Sequence, residues 1–181
     1  MSELGIFNRK HIMFDTETFS THQNAVIVSI GAVRFTFENG FEDEFLINVD
    51  PKSCLAIGLH VEKSTIEWWK AQPKEISDMW KVDPQPIQLA LNEFNKFVGT
   101  DAKQLMWSQG SVFDCGIIRS AFEACGIERN WKHWTEMDCR TVFTLMNIRN
   151  DKIRATETGY HSALGDAKSQ ANTLIKLLKG E

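Results

Sequence analysis

Apolar residues follow two rhythms along this chain, and the rhythms separate strands from helices. The run His11-Ile12-Met13-Phe14-Asp15 is short, apolar and ends in an acid, which reads as a buried strand. Between 26 and 37, Val26, Val28, Ile30, Ala32, Val33, Phe35 and Phe37 largely alternate with period two, and a second run from Phe41 to Val49 follows Asn39-Gly40. Asn-Gly between two such runs predicts a hairpin closed by a type I′ turn, which needs positive φ at both central residues. Beyond Val49 helical spacing takes over. Ser64-Thr65-Ile66-Glu67 has the form of a capping box and predicts a helix beginning there and running through Trp68 and Trp69. Pro86 suits the first turn of the next helix, on which Ile87, Ala90, Leu91, Phe94, Phe97 and Val98 share a face. Leu105 to Ser108 reads as a further strand. A helix after Asp114 buries Ile117, Ile118, Ala121 and Cys125 and stops at Gly126, and the last helix aligns Leu164, Ala167, Ala171, Leu174, Ile175 and Leu178. Three opening strands followed by alternating helices and strands predict an α/β fold, a mixed central sheet flanked by helices.

Composition narrows the class. Residues 1–181, with 43% hydrophobic content, 12 Phe and 6 Trp, suit one compact domain, and no repeat or linker divides them. No apolar run approaches the roughly 18 residues of a membrane span, and residues 1–10 are too polar for a signal peptide. The four cysteines, Cys54, Cys115, Cys125 and Cys139, include no C-x-x-C pair and are expected to be free thiols in the cytoplasm of a bacterial or phage-infected cell. Cys115 is expected to face inward from its helix. A formal charge of −4 argues against a protein that coats nucleic acid by electrostatics alone, though not against an enzyme that grips a short stretch of strand.

The chemistry lies in acids at element ends. Asp15 and Glu17 close the first strand, and the period-two geometry points both carboxylates to one side of the sheet. Two like charges held so close are costly unless a cation lies between them. Asp114 sits at a helix start just after a strand, where an N-cap is the plain structural use. His161 precedes Asp166 by five residues at the opening of an amphipathic helix, which also fits a capped helix with a surface histidine.

Taken together, Phe14-Asp15-x-Glu17-Thr18, then Phe113-Asp114, then His161-x-Ala163-x-x-Asp166-Ala167 resemble the three exonuclease motifs of the DnaQ-like superfamily. Its branches carry either histidine or tyrosine before the last acid. Residue 162 is Ser where the tyrosine branch has Tyr, so the likeness is to the histidine, or DEDDh, branch. Ser64 to Lys70 also resembles a segment of phage exonuclease A and exonuclease VIII-like proteins, although Ser108-Gln109-Gly110 stands where those carry Gly-Asn-Gly. The resemblance implies an RNase H-like fold and a 3′–5′ exonuclease acting on DNA to release 5′-mononucleotides. It implies that Asp15, Glu17, Asp114 and Asp166 hold two divalent cations, Mg²⁺ or Mn²⁺, with Asp114 acting through water. His161 would then take the proton from the attacking water, a general-base role suited to an imidazole.

Strand contacts are less legible. Thr16, Thr18 and Gln109 flank the motifs. Trp68 and Trp69 offer stacking surfaces, but adjacent helical residues point about 100° apart, so at most one faces a given surface. Arg149, Lys152 and Arg154 lie in a polar stretch before His161 and suit phosphates or a solvated loop. An exoribonuclease of the same fold is the nearest rival reading, because nothing here identifies a reader of the 2′-OH. A non-catalytic binding module would be expected to have lost an acid or the histidine. A transposase or integrase relative leaves the His161–Asp166 spacing unused.

Overall fold

A computed structural model describes residues 5–148 and 161–180. Strands β1 (His11–Thr18), β2 (Ile27–Thr36) and β3 (Gly40–Asn48) form an antiparallel meander. Strands β4 (Leu105–Ser108) and β5 (Glu136–Asp138) extend it in parallel on the other side of β1, giving the order β3-β2-β1-β4-β5. β1 is therefore central and covered on both faces, which explains its unbroken apolar start. The described helices are α1 (Pro51–Ala56), α2 (Lys63–Ala71), α3 (Lys74–Ser77), α4 (Ile87–Val98), α5 (Ser111–Cys125), α6 (Cys139–Leu145) and α7 (Ala163–Lys179).

Alternation along β1 divides the core. Ile12 and Phe14 join Ile30 and Ala32 of β2 in packing against Leu91 and Phe94 of α4 and Ile118 of α5. Met13 joins Val33 and Trp107 under Ala167, Ala171 and Leu174 of α7 and Phe143 of α6. Asp15 and Glu17 share the parity of Met13, so they emerge on the α7 face. The mixed sheet, with helices on both faces, is the architecture the apolar rhythm implied.

Three local expectations are corrected. The β2–β3 turn is not type I′: Thr36 pairs with Gly40 across three residues, and Asn39 lacks the positive φ that Gly40 has (75°). Phe37 is buried against His11 and Phe35, and drawing that ring inward takes a longer loop than two residues provide. The capping box at Ser64 does not start α2. Its N-cap is Glu62, whose N–H donates to the Phe19 carbonyl at 2.8 Å and whose carboxylate accepts from Thr21, so Ser64 is already helical. Pro86 is the N-cap of α4, one residue ahead of the first turn. Gly126 ends α5 in the left-handed conformation, as expected. The four cysteines are free thiols, and Cys115 is fully buried.

Candidate active site

Asp15 and Glu17 lie at the carboxyl end of β1, beside the carboxyl end of its parallel neighbour β4, where open α/β sheets form their ligand crevices. The turn after β4 launches α5 and puts Asp114 in its first turn. Asp114 is not the N-cap, which is Gly110. Its Oδ1 instead accepts from the Thr16 N–H at 3.2 Å and the Thr16 hydroxyl at 2.8 Å, fastening α5 to β1 between the two first-strand acids.

The last acid arrives on α7. Ser162 caps that helix by accepting from the Gly165 N–H at 3.0 Å, so capping does not fall to Asp166 in the first turn. The start of α7 lies flat on β2 at Gly31, the register partner of Asp15. A Cβ at Gly31 would stand 2.1 Å from the Leu164 nitrogen and 2.2 Å from the Ala163 carbonyl carbon. Only a residue without a side chain allows that approach. As a result, one carboxylate oxygen each of Asp15, Glu17 and Asp166 lie within 4.8 Å of one another.

Such crowding has an electrostatic signature. Burial and the nearby carboxylates of Asp114, Glu17 and Asp166 push Asp15 well above the usual carboxylate range, partly offset by the Gln170 amide donating to its Oδ1 at 3.0 Å. Burial pushes Asp114 up to about 7, against the lowering effect of its Thr16 bonds and the Arg140 guanidinium. Hard carboxylate oxygens, clustered and mutually repelling, fit a divalent cation such as Mg²⁺, Mn²⁺ or Ca²⁺ better than a soft-ligand metal.

His161 adopts a left-handed backbone (φ 62°), and its ring meets Trp68 edge to face, with centroids 4.8 Å apart and planes at 81°. The tryptophan pair divides as helical geometry requires. Trp69 is buried and donates its indole N–H to the Thr18 carbonyl at 2.9 Å, locking α2 to the end of β1, while Trp68 remains 42% exposed beside His161. The hydroxyl of Thr16 is engaged by Asp114 and that of Thr18 by the Ser20 carbonyl, so both serve contacts within the chain. Arg149, Lys152 and Arg154 lie outside the described residues.

Two hollows flank the acids. A polar cleft of about 180 Å³ is walled by Asp15, Asp114, Asp166, Gln109, Phe113 and Arg140. An apolar one of about 280 Å³ is walled by Glu17, Ser162, Leu46, Met79, Trp80 and Val82. The structure adds Gly31, Gln170 and Arg140 to the neighbourhood, none of which the motifs flag. Gln170 carried a signal, since it lies four residues after Asp166 and so on the same helical face.

Solved structures similar to this chain include the zinc-bound complex of E. coli exonuclease I with single-stranded DNA. Its TM-score is 0.68 at 13% identity, over 96% of this chain and 41% of that one. The same E. coli enzyme with a dA16 oligonucleotide gives 0.68 at 15%, over 94% and 41%, and with a dT13 oligonucleotide 0.67 at 15%, over 95% and 41%. The chain thus spans about two fifths of the length of those proteins, and the likeness shows the fold, the RNase H-like exonuclease fold that the motifs implied. No curated protein matches the sequence. A family model described as a 3′–5′ exoribonuclease Rv2179c-like domain matches residues 10–178.

Proposed function

This chain belongs to the 3′–5′ exoribonuclease Rv2179c-like domain family, and on that premise we propose that it shortens single-stranded RNA from the 3′ end, releasing 5′-mononucleotides. The observation that carries the reading is the convergence of Asp15, Glu17 and Asp166 from two distant segments within 4.8 Å, with Asp114 fastened beside them. Asp15, Glu17, Asp114 and Asp166 would hold two divalent cations, Mg²⁺ or Mn²⁺. Bound there, they supply charge neutralisation and Lewis acidity toward a phosphoryl oxygen. His161 accepts the proton of the attacking water on a ring nitrogen. The new P–O bond forms as the bond from phosphorus to the 3′ oxygen breaks, and that oxygen takes up a proton to become the new 3′ hydroxyl. The apolar hollow beside Glu17 receives the terminal base, and the polar cleft beside Asp114 receives the strand upstream. Among the described residues no helix is long and apolar enough to cross a membrane, and the free thiols support a reducing cytoplasm as the compartment.

DNA is the second reading. The Ser64–Lys70 likeness to phage-type exonucleases and the single-stranded DNA bound by exonuclease I support it, and the former places DNA first when the sequence is read alone. The family description favours RNA, because structural neighbours at 13–15% identity speak to fold alone. The test is digestion of matched 5′-labelled RNA and DNA with Mg²⁺, Mn²⁺ or EDTA. A ladder shortening from the 3′ end of RNA, abolished by EDTA and by Asp15→Asn, is expected. Faster loss of DNA selects the second reading. Rapid cutting of a closed circular strand would mean an endonuclease and overturn both.

A further inference from the structure

We propose that Arg140 holds the phosphate one nucleotide upstream of the scissile bond, and so sets how short a strand the site grips well. The inference rests on the exonuclease reading above. Arg140 is the second residue of α6 and lines the polar cleft together with Asp15, Asp114 and Asp166. Among the described residues lining that cleft it is the sole cation. A cleft so rich in carboxylates repels a polyanion unless positive charge is supplied locally. Cations over Asp15, Glu17 and Asp166 would serve the scissile phosphate, whereas Arg140 lines the polar cleft and not the hollow beside Glu17. With the terminal base seated in that hollow, as proposed above, its neighbour in the strand is the phosphate upstream.

The guanidinium is held in place for this. Asp138 Oδ1 accepts from the Arg140 N–H at 2.9 Å and from the Gly110 N–H at 3.0 Å, tying the start of α6 to the loop after β4. Arg140 Nη2 then donates to the Gln109 carbonyl at 2.9 Å. Gly110, at φ 102°, makes room, since a Cβ there would approach Nη2 to 3.0 Å. One N–H thus fixes the plane of a group with five donors, and that planar fork matches phosphate oxygens. The arrangement uses the carbonyl of Gln109, which any residue supplies, so Gln where phage-type exonucleases carry Asn leaves it intact.

Dinucleotide substrates with and without a 5′ phosphate isolate the upstream phosphate, because the scissile bond is the same in both. Wild-type protein is expected to cleave the phosphorylated one about 10- to 100-fold better in kcat/KM at low salt, the range of a charge-assisted hydrogen bond. Arg140→Gln, which stays polar but loses the charge, should bring that ratio to about one, and Arg140→Lys should keep part of it. An active wild type indifferent to the 5′ phosphate, or a folded Arg140→Gln that retains the preference, overturns the inference. If Arg140→Gln fails to fold, the wild-type ratio and Arg140→Lys decide. Wild-type protein that cleaves no RNA or DNA with any divalent cation refutes the exonuclease reading itself.

Discussion

Replacing Asp114 by asparagine should stabilise the metal-free protein while disabling the metal-loaded one. Burial raises the Asp114 pKa from about 3.8 to about 7. Between those values the folded protein holds a proton that the unfolded chain has released, so stability falls as pH rises through that window. Each pKa unit corresponds to about 1.4 kcal/mol, so the full effect is on the order of 4 kcal/mol, complete above about pH 7 and absent below about pH 4. The amide oxygen introduced by Asp114→Asn would still accept from Thr16, with no charge to desolvate. In EDTA the variant should therefore match wild type near pH 4. Near pH 8 it should melt higher, by up to roughly 8–16 °C at about 2–4 °C per kcal/mol for a chain of this size. Saturating Mn²⁺ should reverse the order, since wild type gains binding free energy that the variant has lost. Thermal denaturation followed by circular dichroism across that pH range, with and without Mn²⁺, is the measurement. A variant no more stable than wild type near pH 8 in EDTA would show that Asp114 bears no such strain.

Three further outcomes are expected. His161→Ala should keep its Mn²⁺ affinity by calorimetry and lose about 10²–10⁴ in turnover, while an acid limb and rate shared with wild type would remove His161 from the chemistry. Trp68→Ala should lower kcat about 2- to 10-fold with Trp68→Phe close to wild type, because an aromatic edge contact is worth roughly 0.5–1.5 kcal/mol; an effect on KM alone would instead mark Trp68 as a base-stacking surface. Gly31→Ala must displace the start of α7, and since a misplacement of about 1 Å costs on the order of 10²-fold in rate, it should fold yet lose most activity and Mn²⁺ affinity, with full activity telling against the close approach.

The clustering of the acids was legible in the sequence because each stands at the edge of an apolar rhythm, Asp15 and Glu17 where the strand's closes and Asp114 and Asp166 where a helix's opens. The alternation through Met13 fixes the face of Asp15 and Glu17, and the helical face through Ala167 and Ala171 fixes that of Asp166. Local signals failed where a tertiary contact overrode them. The Phe19 carbonyl claims the backbone of Glu62 and starts α2 before the capping box, and the buried Phe37 ring lengthens the turn that Asn39-Gly40 announced. Arg140 was unreadable because its place depends on a 31-residue separation from Gln109 closing in space, and no periodicity encodes that.

Gly31 also bears on how such a site moves between proteins. Strand β2 contributes none of the acids, yet the distance between the first and last of them is set by an absent methyl group on it. Grafting Asp15, Glu17, Asp114 and Asp166 onto another sheet of this shape would transfer all four acids and still hold the final carboxylate too far out, unless the residue opposite the first acid is also reduced to glycine. A search for functional positions that weighs only polar side chains would pass over it. The spacing of the acidic cluster therefore depends on one position that carries no side chain at all.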